Sequence, residues 1–161
     1  MASPPRRGLK TRLAAVWPVG ELTGWPGASG FGSRSTAEEV LRGIDLRGRC
    51  FIVTGGSAGL GKATARALAC AGARVVIACR DPTRGDAVAS ELTAAAAAAA
   101  ADATRGGGLV TCMLCDLASL ASTRAFAQAF TSTGLELHGL ICNGTCALLG
   151  PRVASCDALS L

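Results

Sequence analysis

Five residues suited to a buried strand, Cys50-Phe51-Ile52-Val53-Thr54, run without a break into Gly55-Gly56-Ser57-Ala58-Gly59-Leu60-Gly61. No other feature of the chain constrains its fold as tightly. A continuous apolar run closed by glycines suits a strand buried on both faces, as in parallel sheets. The residues after Gly59 read as a helix that stops at Gly72. Residues 74–79, "RVVIAC", read as a second buried strand, rich in β-branched side chains. Strand, glycine turn, helix and strand in this order give the turn a meaning beyond reversing the chain. Glycine tolerates positive φ and has no Cβ, so the main chain can turn tightly and lie against a pyrophosphate. The helix start adds unpaired N–H groups and a dipole that favours an anion. Gly61 would let the helix lie close to the strand.

The rest of the chain continues the alternation. Pro82 suits the first turn of a third helix, which runs into eight alanines at residues 94–101. Alanine is the strongest helix former. The tract is expected to lengthen this helix outward as a tolerated low-complexity insertion, ended by "RGGG" at residues 105–108. Residues 109–114 read as a third strand. Residues 119–134 read as a helix capped by Ser119, with Leu120, Phe126 and Phe130 on its apolar side. Residues 137–143 read as a fourth strand. The order β-α-β-α-β-α-β demands right-handed crossovers and a parallel sheet: an α/β fold. Upstream, Ser35 with Glu38 and Thr36 with Glu39 have capping-box spacing, so a short helix should follow and stop near Gly43.

Composition excludes several classes. Half of the 161 residues are apolar, so the chain can build a core. The net charge of +5 is mild, and aromatics are only 4%. A nucleic-acid surface would want a concentrated basic stripe with stacking aromatics. No run of 18 or more apolar residues exists outside the alanine tract, so no membrane span is expected. The first 35 residues carry Arg6, Arg7, Lys10, Arg12 and Arg34 against Glu21 alone. Such a lead suits an organelle transit segment or an ordinary frayed end. Among the eight cysteines, Cys112 and Cys115 have C-x2-C spacing. They fall on a strand, where an offset of three turns the two thiols apart, whereas zinc needs them convergent. Reduced thiols and no metal are expected. Three segments result: an irregular basic lead (1–34), a nucleotide-binding half-domain (35–145) and a tail (146–161).

Thr54, Gly55, Gly59 and Gly61 form the spacing T-G-x3-G-x-G, which resembles the short-chain dehydrogenase/reductase family. The lead "SGFGSRSTAEEVLRGID" and the segment "ACRD" resemble one branch of it. That branch contains retinol-dehydrogenase-like enzymes, WW-domain oxidoreductases and the dehydrogenase of the chloroplast inner-envelope translocon. The resemblance covers about residues 29–145. It implies the N-terminal half of a Rossmann-type doubly wound parallel sheet, about four strands ordered 3-2-1-4. It also implies an oxidoreductase that interconverts carbonyls and alcohols by hydride transfer. Gly55, Ser57, Ala58, Gly59, Leu60 and Gly61 would cradle the dinucleotide. The segment "CDLAS" resembles the one that contacts adenine, giving that role to Asp116 and Leu117. "ICNGT" aligns with the family's Asn-Asn-Ala-Gly segment, so Asn143 matches, while Thr145 replaces the final glycine. Cofactor choice can be argued from charge. An acidic residue after the second strand would bind a ribose hydroxyl and repel a 2′-phosphate. Here Cys79 is followed by Arg80, which favours NADP(H) over NAD(H).

By resemblance, the catalytic Ser and a Tyr-x3-Lys pair lie later than Thr145. The sequence has no tyrosine, and its only lysines are Lys10 and Lys62. The chain is therefore expected to be the nucleotide-binding half of such an enzyme, truncated and inactive alone. Two alternatives are a non-catalytic NADP(H)-sensing or interaction module and a nonfunctional truncated product. Residues 139–143 should form an apolar sheet edge and the domain should be marginally stable. The expected partners are the dinucleotide and, only with the missing half supplied, a small carbonyl or alcohol. The expected location is the chloroplast, at its envelope, or the cytoplasm.

Overall fold

The computed structural model describes residues 28–100 and 107–144. The expectations placed on the basic lead before residue 28, on residues 105–106, and on Thr145 and the tail lie outside these residues. The chain divides into two compact units, Met1–Val40 and Leu41–Leu161.

In the first unit the described structure is a turn followed by α1 (Ala37–Val40). One of the two candidate capping boxes forms. Thr36 N–H donates to Glu39 Oε2 (2.9 Å) and Glu39 N–H donates to Thr36 Oγ1 (3.2 Å). The Ser35 hydroxyl instead accepts from Gly32 N–H (3.1 Å). The helix ends at Val40, three residues short of Gly43, which does carry the expected positive φ of 82°.

The second unit is built on four parallel strands, β1 (Cys50–Thr54), β2 (Arg74–Cys79), β3 (Leu109–Leu114) and β4 (Gly139–Ile141). Their spatial order is β3-β2-β1-β4, as the family resemblance implied. Three helices connect them: α2 (Gly59–Cys70), α3 (Pro82–Ala99) and α4 (Leu120–Ser132). The fold is a Rossmann-like α/β sheet, with α2 and α3 on one face and α4 on the other. The first three strands match the sequence reading residue for residue. β4 is shorter than the seven residues expected. Its leading end is tied to β1 by the main chain and ring of His138, and at the other end Asn143 N–H already turns back to the Ile141 carbonyl (3.0 Å).

The two faces of the sheet are unequal. Under α2 and α3, Val53, Val75, Ile77, Cys79 and Val110 pack against Leu68, Ala69, Val88, Ala89 and Leu92. Under α4 the buried set is Cys50, Ile52, Val76 and Phe130, with Met113, Phe126 and Leu135 beside them. Phe126 and Phe130 face the sheet as their spacing implied. Leu120 does not: it is 47% exposed at the start of α4. β4 pairs only with β1 among the described strands, and Leu140 at its centre is 56% exposed.

The alanine tract lengthens α3 as far as Ala99, as expected, but one of its residues belongs to the core. It is not simply an outward extension of α3. The buried positions of α3 are Gly85, Val88, Ala89, Leu92 and Ala96, a single helical stripe that continues into the tract. Ala96 is fully buried. One turn earlier the Thr93 hydroxyl both accepts from Val110 N–H (3.0 Å) and donates to the Val110 carbonyl (3.3 Å), pinning α3 to β3. Ala97, Ala98 and Ala99 are exposed. Ala96→Leu should therefore cost about 1–3 kcal/mol through overpacking, whereas Ala98→Leu should stay within about 0.5 kcal/mol. Denaturant unfolding of the two variants checks this; equal stabilities would return the tract to the status of an outer insertion.

Candidate functional site

At the carboxyl end of β1 the main chain must leave the sheet and enter α2 within four residues. Gly55 anchors the exit, with its N–H on the Ala78 carbonyl of β2 (3.1 Å) and φ at 65°. Gly56 is buried against Ile77, whose Cγ2 would lie 2.5 Å from an added Cβ. Ser57 is half-buried, and Ala58, Gly59 and Leu60 are exposed, Leu60 by 81%. Gly59 has φ of 53° and open space where a side chain would stand. Gly61 is the opposite case. A Cβ there would meet the Gly55 carbonyl oxygen at 2.4 Å. The turn therefore faces outward through residues 58–60 and is packed shut behind them.

The start of α2 differs from the other two long helices. Asp81 caps α3, its Oδ1 accepting from Arg84 N–H (3.1 Å). Ser119 caps α4, its Oγ accepting from Ser122 N–H (3.2 Å). At α2 the capping position is Ala58, in extended conformation, with no side-chain cap. Among the described residues the first N–H groups of α2 thus have no side-chain acceptor, at a helix end where negative charge is favoured.

The loop after β4 closes on this turn. Asn143 Nδ2 donates to the Thr54 carbonyl (3.3 Å) and the Gly55 carbonyl (3.5 Å). Gly144 N–H donates to Thr54 Oγ1 (2.8 Å). Leu117 stands beside Gly144, its Cδ1 at 2.7 Å from where a Cβ would be, and is 49% exposed. Gly55, Gly61, Leu117 and Asn143 are thus brought together at the carboxyl end of the sheet, where open α/β sheets bind ligands. Thr54, read from the sequence only as the first residue of the glycine motif, also holds the loop after β4 through its hydroxyl. It sits 90 residues from its partner, and no local pattern announces that pairing.

Arg80 is the first residue after β2 and is exposed. Among the described residues it has no ion pair. Its neighbour Asp81 is committed to the start of α3, a role that Asp before Pro82 makes legible. Asp116 lies at the end of β3, half-buried. Its Oδ1 accepts from Ala118 N–H (3.0 Å), and its own N–H donates to Ser122 Oγ (2.9 Å). It shapes the turn into α4, while Ser119 does the capping.

The thiols of Cys112 and Cys115 diverge. Cys112 lies under Gly85 of α3, with its Sγ 2.1 Å from where a Cβ on that glycine would stand. The Cys115 thiol interacts with Thr123 of α4. Burial, reinforced by the neighbouring Cys79, pushes the Cys112 thiol up to about 12, and burial also raises Cys115. Both stay protonated near neutrality, as inert packing groups. Cys142, beside Asn143, is exposed.

A family model described as short chain dehydrogenase matches residues 49–157. The match runs past Thr145, where the sequence reading ended the resemblance. The chain is 38% identical over 113 residues to a WW domain-containing oxidoreductase from Gallus gallus, covering 70% of this chain and 25% of that protein. It is 36% identical over 124 residues to short-chain dehydrogenase TIC 32 B, chloroplastic, from Brassica napus, covering 77% and 36%. Among solved structures it is similar to the RhlG/NADP active-site complex of Pseudomonas aeruginosa. There the identity is 34% and the TM-score 0.55, over 65% of this chain and 37% of that one. The chain thus spans about a quarter to a third of the length of these curated relatives.

Proposed function

Since the chain belongs to the short-chain dehydrogenase family, we propose that its second unit is the NADP(H)-binding part of an oxidoreductase acting on carbonyls and alcohols. The observation that carries this reading is the uncapped start of α2 behind an outward-facing glycine turn. A pyrophosphate supplies the negative charge and acceptor oxygens that this helix end favours. The absent Cβ at Gly59 leaves room for close approach of such a group. Ser57, Ala58 and Leu60 line the same turn. Asp116 and Leu117 form the adenine side and Asn143 the floor. Arg80 meets the ribose 2′-phosphate. NADP in a similar solved complex supports the phosphorylated cofactor.

The dinucleotide, when bound, supplies or accepts the hydride. This chain's own residues bind and orient it. The family resemblance assigns proton exchange with the substrate oxygen to a tyrosine, and this sequence holds none. The reading is therefore binding without turnover by this chain alone. Among the described residues, no helix is long and apolar enough to cross a membrane.

Titration of the purified chain with NADPH, followed by calorimetry and by the cofactor's fluorescence, tests the proposal. Saturable one-to-one binding without carbonyl reduction is expected. Absence of saturable binding would sink the cofactor assignment. Steady carbonyl turnover would sink the division between binding and catalysis.

A further inference from the structure

His138 occupies a position that the dinucleotide reading does not use. It immediately precedes β4, and its side chain is 16% exposed. Its main-chain N–H donates to the Cys50 carbonyl (2.9 Å), the leading rung between β4 and β1. Its ring Nδ1 lies 3.1 Å from the Cys50 nitrogen, which donates to it. The same Nδ1 also lies 3.1 Å from the Glu136 carbonyl oxygen. These two contacts are chemically exclusive. An imidazole nitrogen carries either a lone pair or a proton. With a lone pair it accepts from Cys50 N–H and has nothing to offer the Glu136 carbonyl. With a proton it donates to Glu136 and leaves the Cys50 N–H without its acceptor.

We propose that His138 is a proton-operated latch on β4. In the neutral ring the proton sits on Nε2, and Nδ1 stands in for a strand carbonyl, completing the β1–β4 ladder at Cys50. Protonation at Nδ1 transfers the ring's hold to the Glu136 carbonyl, with the Glu136 carboxylate, 4.0 Å from Nε2, as counter-charge. The main-chain rung to Cys50 remains, but β1 loses its second tie to this end of β4. The ring is 16% exposed, which gives the proton access.

The surroundings permit this exchange. On its own segment the ring faces Glu136. From β1 it faces Cys50, whose thiol burial keeps protonated, and from β2 Arg74 lies near enough to act on that thiol. The last turn of α4 carries no charged residue. The latch matters because β4 is only three residues long. It leads into Asn143 and Gly144, which clamp Thr54 and Gly55. Loosening its leading end loosens the strand that positions that clamp. The inference rests on main-chain and ring geometry and is independent of what the glycine turn binds.

Nitrogen-15 NMR of the full chain tests it, with the His138 ring nitrogens and the Cys50 amide as probes at about pH 7.5 and about pH 5.5. At the higher pH the ring proton is expected on Nε2. On acidification the hydrogen-exchange protection factor of Cys50 should fall about fivefold, the weight of one ordinary hydrogen bond. In His138→Asn the amide oxygen can take the acceptor place without titrating, so the protection factor should stay flat. A ring proton on Nδ1 at the higher pH, an unchanged Cys50 protection factor, or an equal fall in His138→Asn would each overturn the latch. If the variant does not fold, the two wild-type readouts decide.

Discussion

Gly61→Ala should abolish saturable NADPH binding and lower the melting temperature by about 5–15 °C, and Gly59→Ala should lower the melt by a similar amount, from backbone strain and not from a clash, while only weakening the binding. The two glycines belong to one turn but serve different physical ends. An added Cβ at Gly61 would stand 2.4 Å from the Gly55 carbonyl oxygen, 2.5 Å from Asn143 Nδ2 and 3.0 Å from the Gly55 carbonyl carbon. Two of the three neighbours are main chain and cannot rotate away. The third is the amide that holds the loop after β4 to the end of β1. Alanine would gain about 1 kcal/mol of helix propensity over glycine. Overpacking against a fixed main chain costs about 1–3 kcal/mol or more, and here it must separate α2 from β1 or displace Asn143, so the clash wins. For a unit of this size each kcal/mol moves the melt by about 4–8 °C. At Gly59 nothing lies within 4 Å of the added carbon. The cost there is the left-handed backbone alone, about 1–2 kcal/mol. Both variants should bind NADPH less well, Gly59→Ala because the new methyl projects into the open side of the turn. Circular-dichroism melts and cofactor titrations on the pair check this. Gly61→Ala with the parent's melt and affinity would remove the close packing of α2 on β1 from the account.

The parts of this fold that were legible in the sequence are those with a local signature. β1 runs into Gly55, β2 stands between Gly72 and Pro82, and β3 opens after Gly108 and closes before Asp116, so their limits could be read residue by residue. Gly72 and Gly134 end α2 and α4 with positive φ, as helix-stopping glycines do. Ser119 and Pro82 mark helix starts by composition alone. What escaped was set by partners distant in sequence or by repetition. Eight identical alanines carry no pattern of their own. The burial of Ala96 is visible only when the phase of Gly85, Val88, Ala89 and Leu92 is carried forward into them. β4 looked longer because residues 137–143 are mostly apolar. Leu137, however, is 43% exposed, and His138 meets β1 through its ring as well as its main chain. Of the candidate site, the glycine turn was legible from spacing. The Thr54–Gly144 pin and the Asn143 clamp bridge about 90 residues and follow only from sheet order.

Arg80→Ala should weaken NADPH binding by about 10- to 100-fold and leave NADH binding nearly unchanged. At the end of β2 the proposed reading rests on charge and not on shape. Arg80 is exposed, directly follows the strand, and has no ion pair among the described residues. Its acidic neighbour would be the natural competitor for the guanidinium, but Asp81 holds the start of α3 through Arg84 N–H. A hydrogen bond to a charged group contributes about 1.5–3 kcal/mol, which sets the expected loss at about one to two decades. NADH lacks the 2′-phosphate and has no such contact to lose. Because Arg80 is open to solvent, the preference should also shrink as salt rises, since charges more than about 8–10 Å apart are largely screened at physiological ionic strength. Asp81→Asn is the informative companion. Asparagine caps helices as well as aspartate does, so α3 should persist while one repelling charge leaves, and NADPH should bind slightly tighter. Parallel titrations of parent, Arg80→Ala and Asp81→Asn with both cofactors at two salt concentrations make the comparison. Equal losses for NADPH and NADH in Arg80→Ala would show that the arginine supports the loop and does not read the phosphate. No loss with either would move the 2′-phosphate contact away from the end of β2.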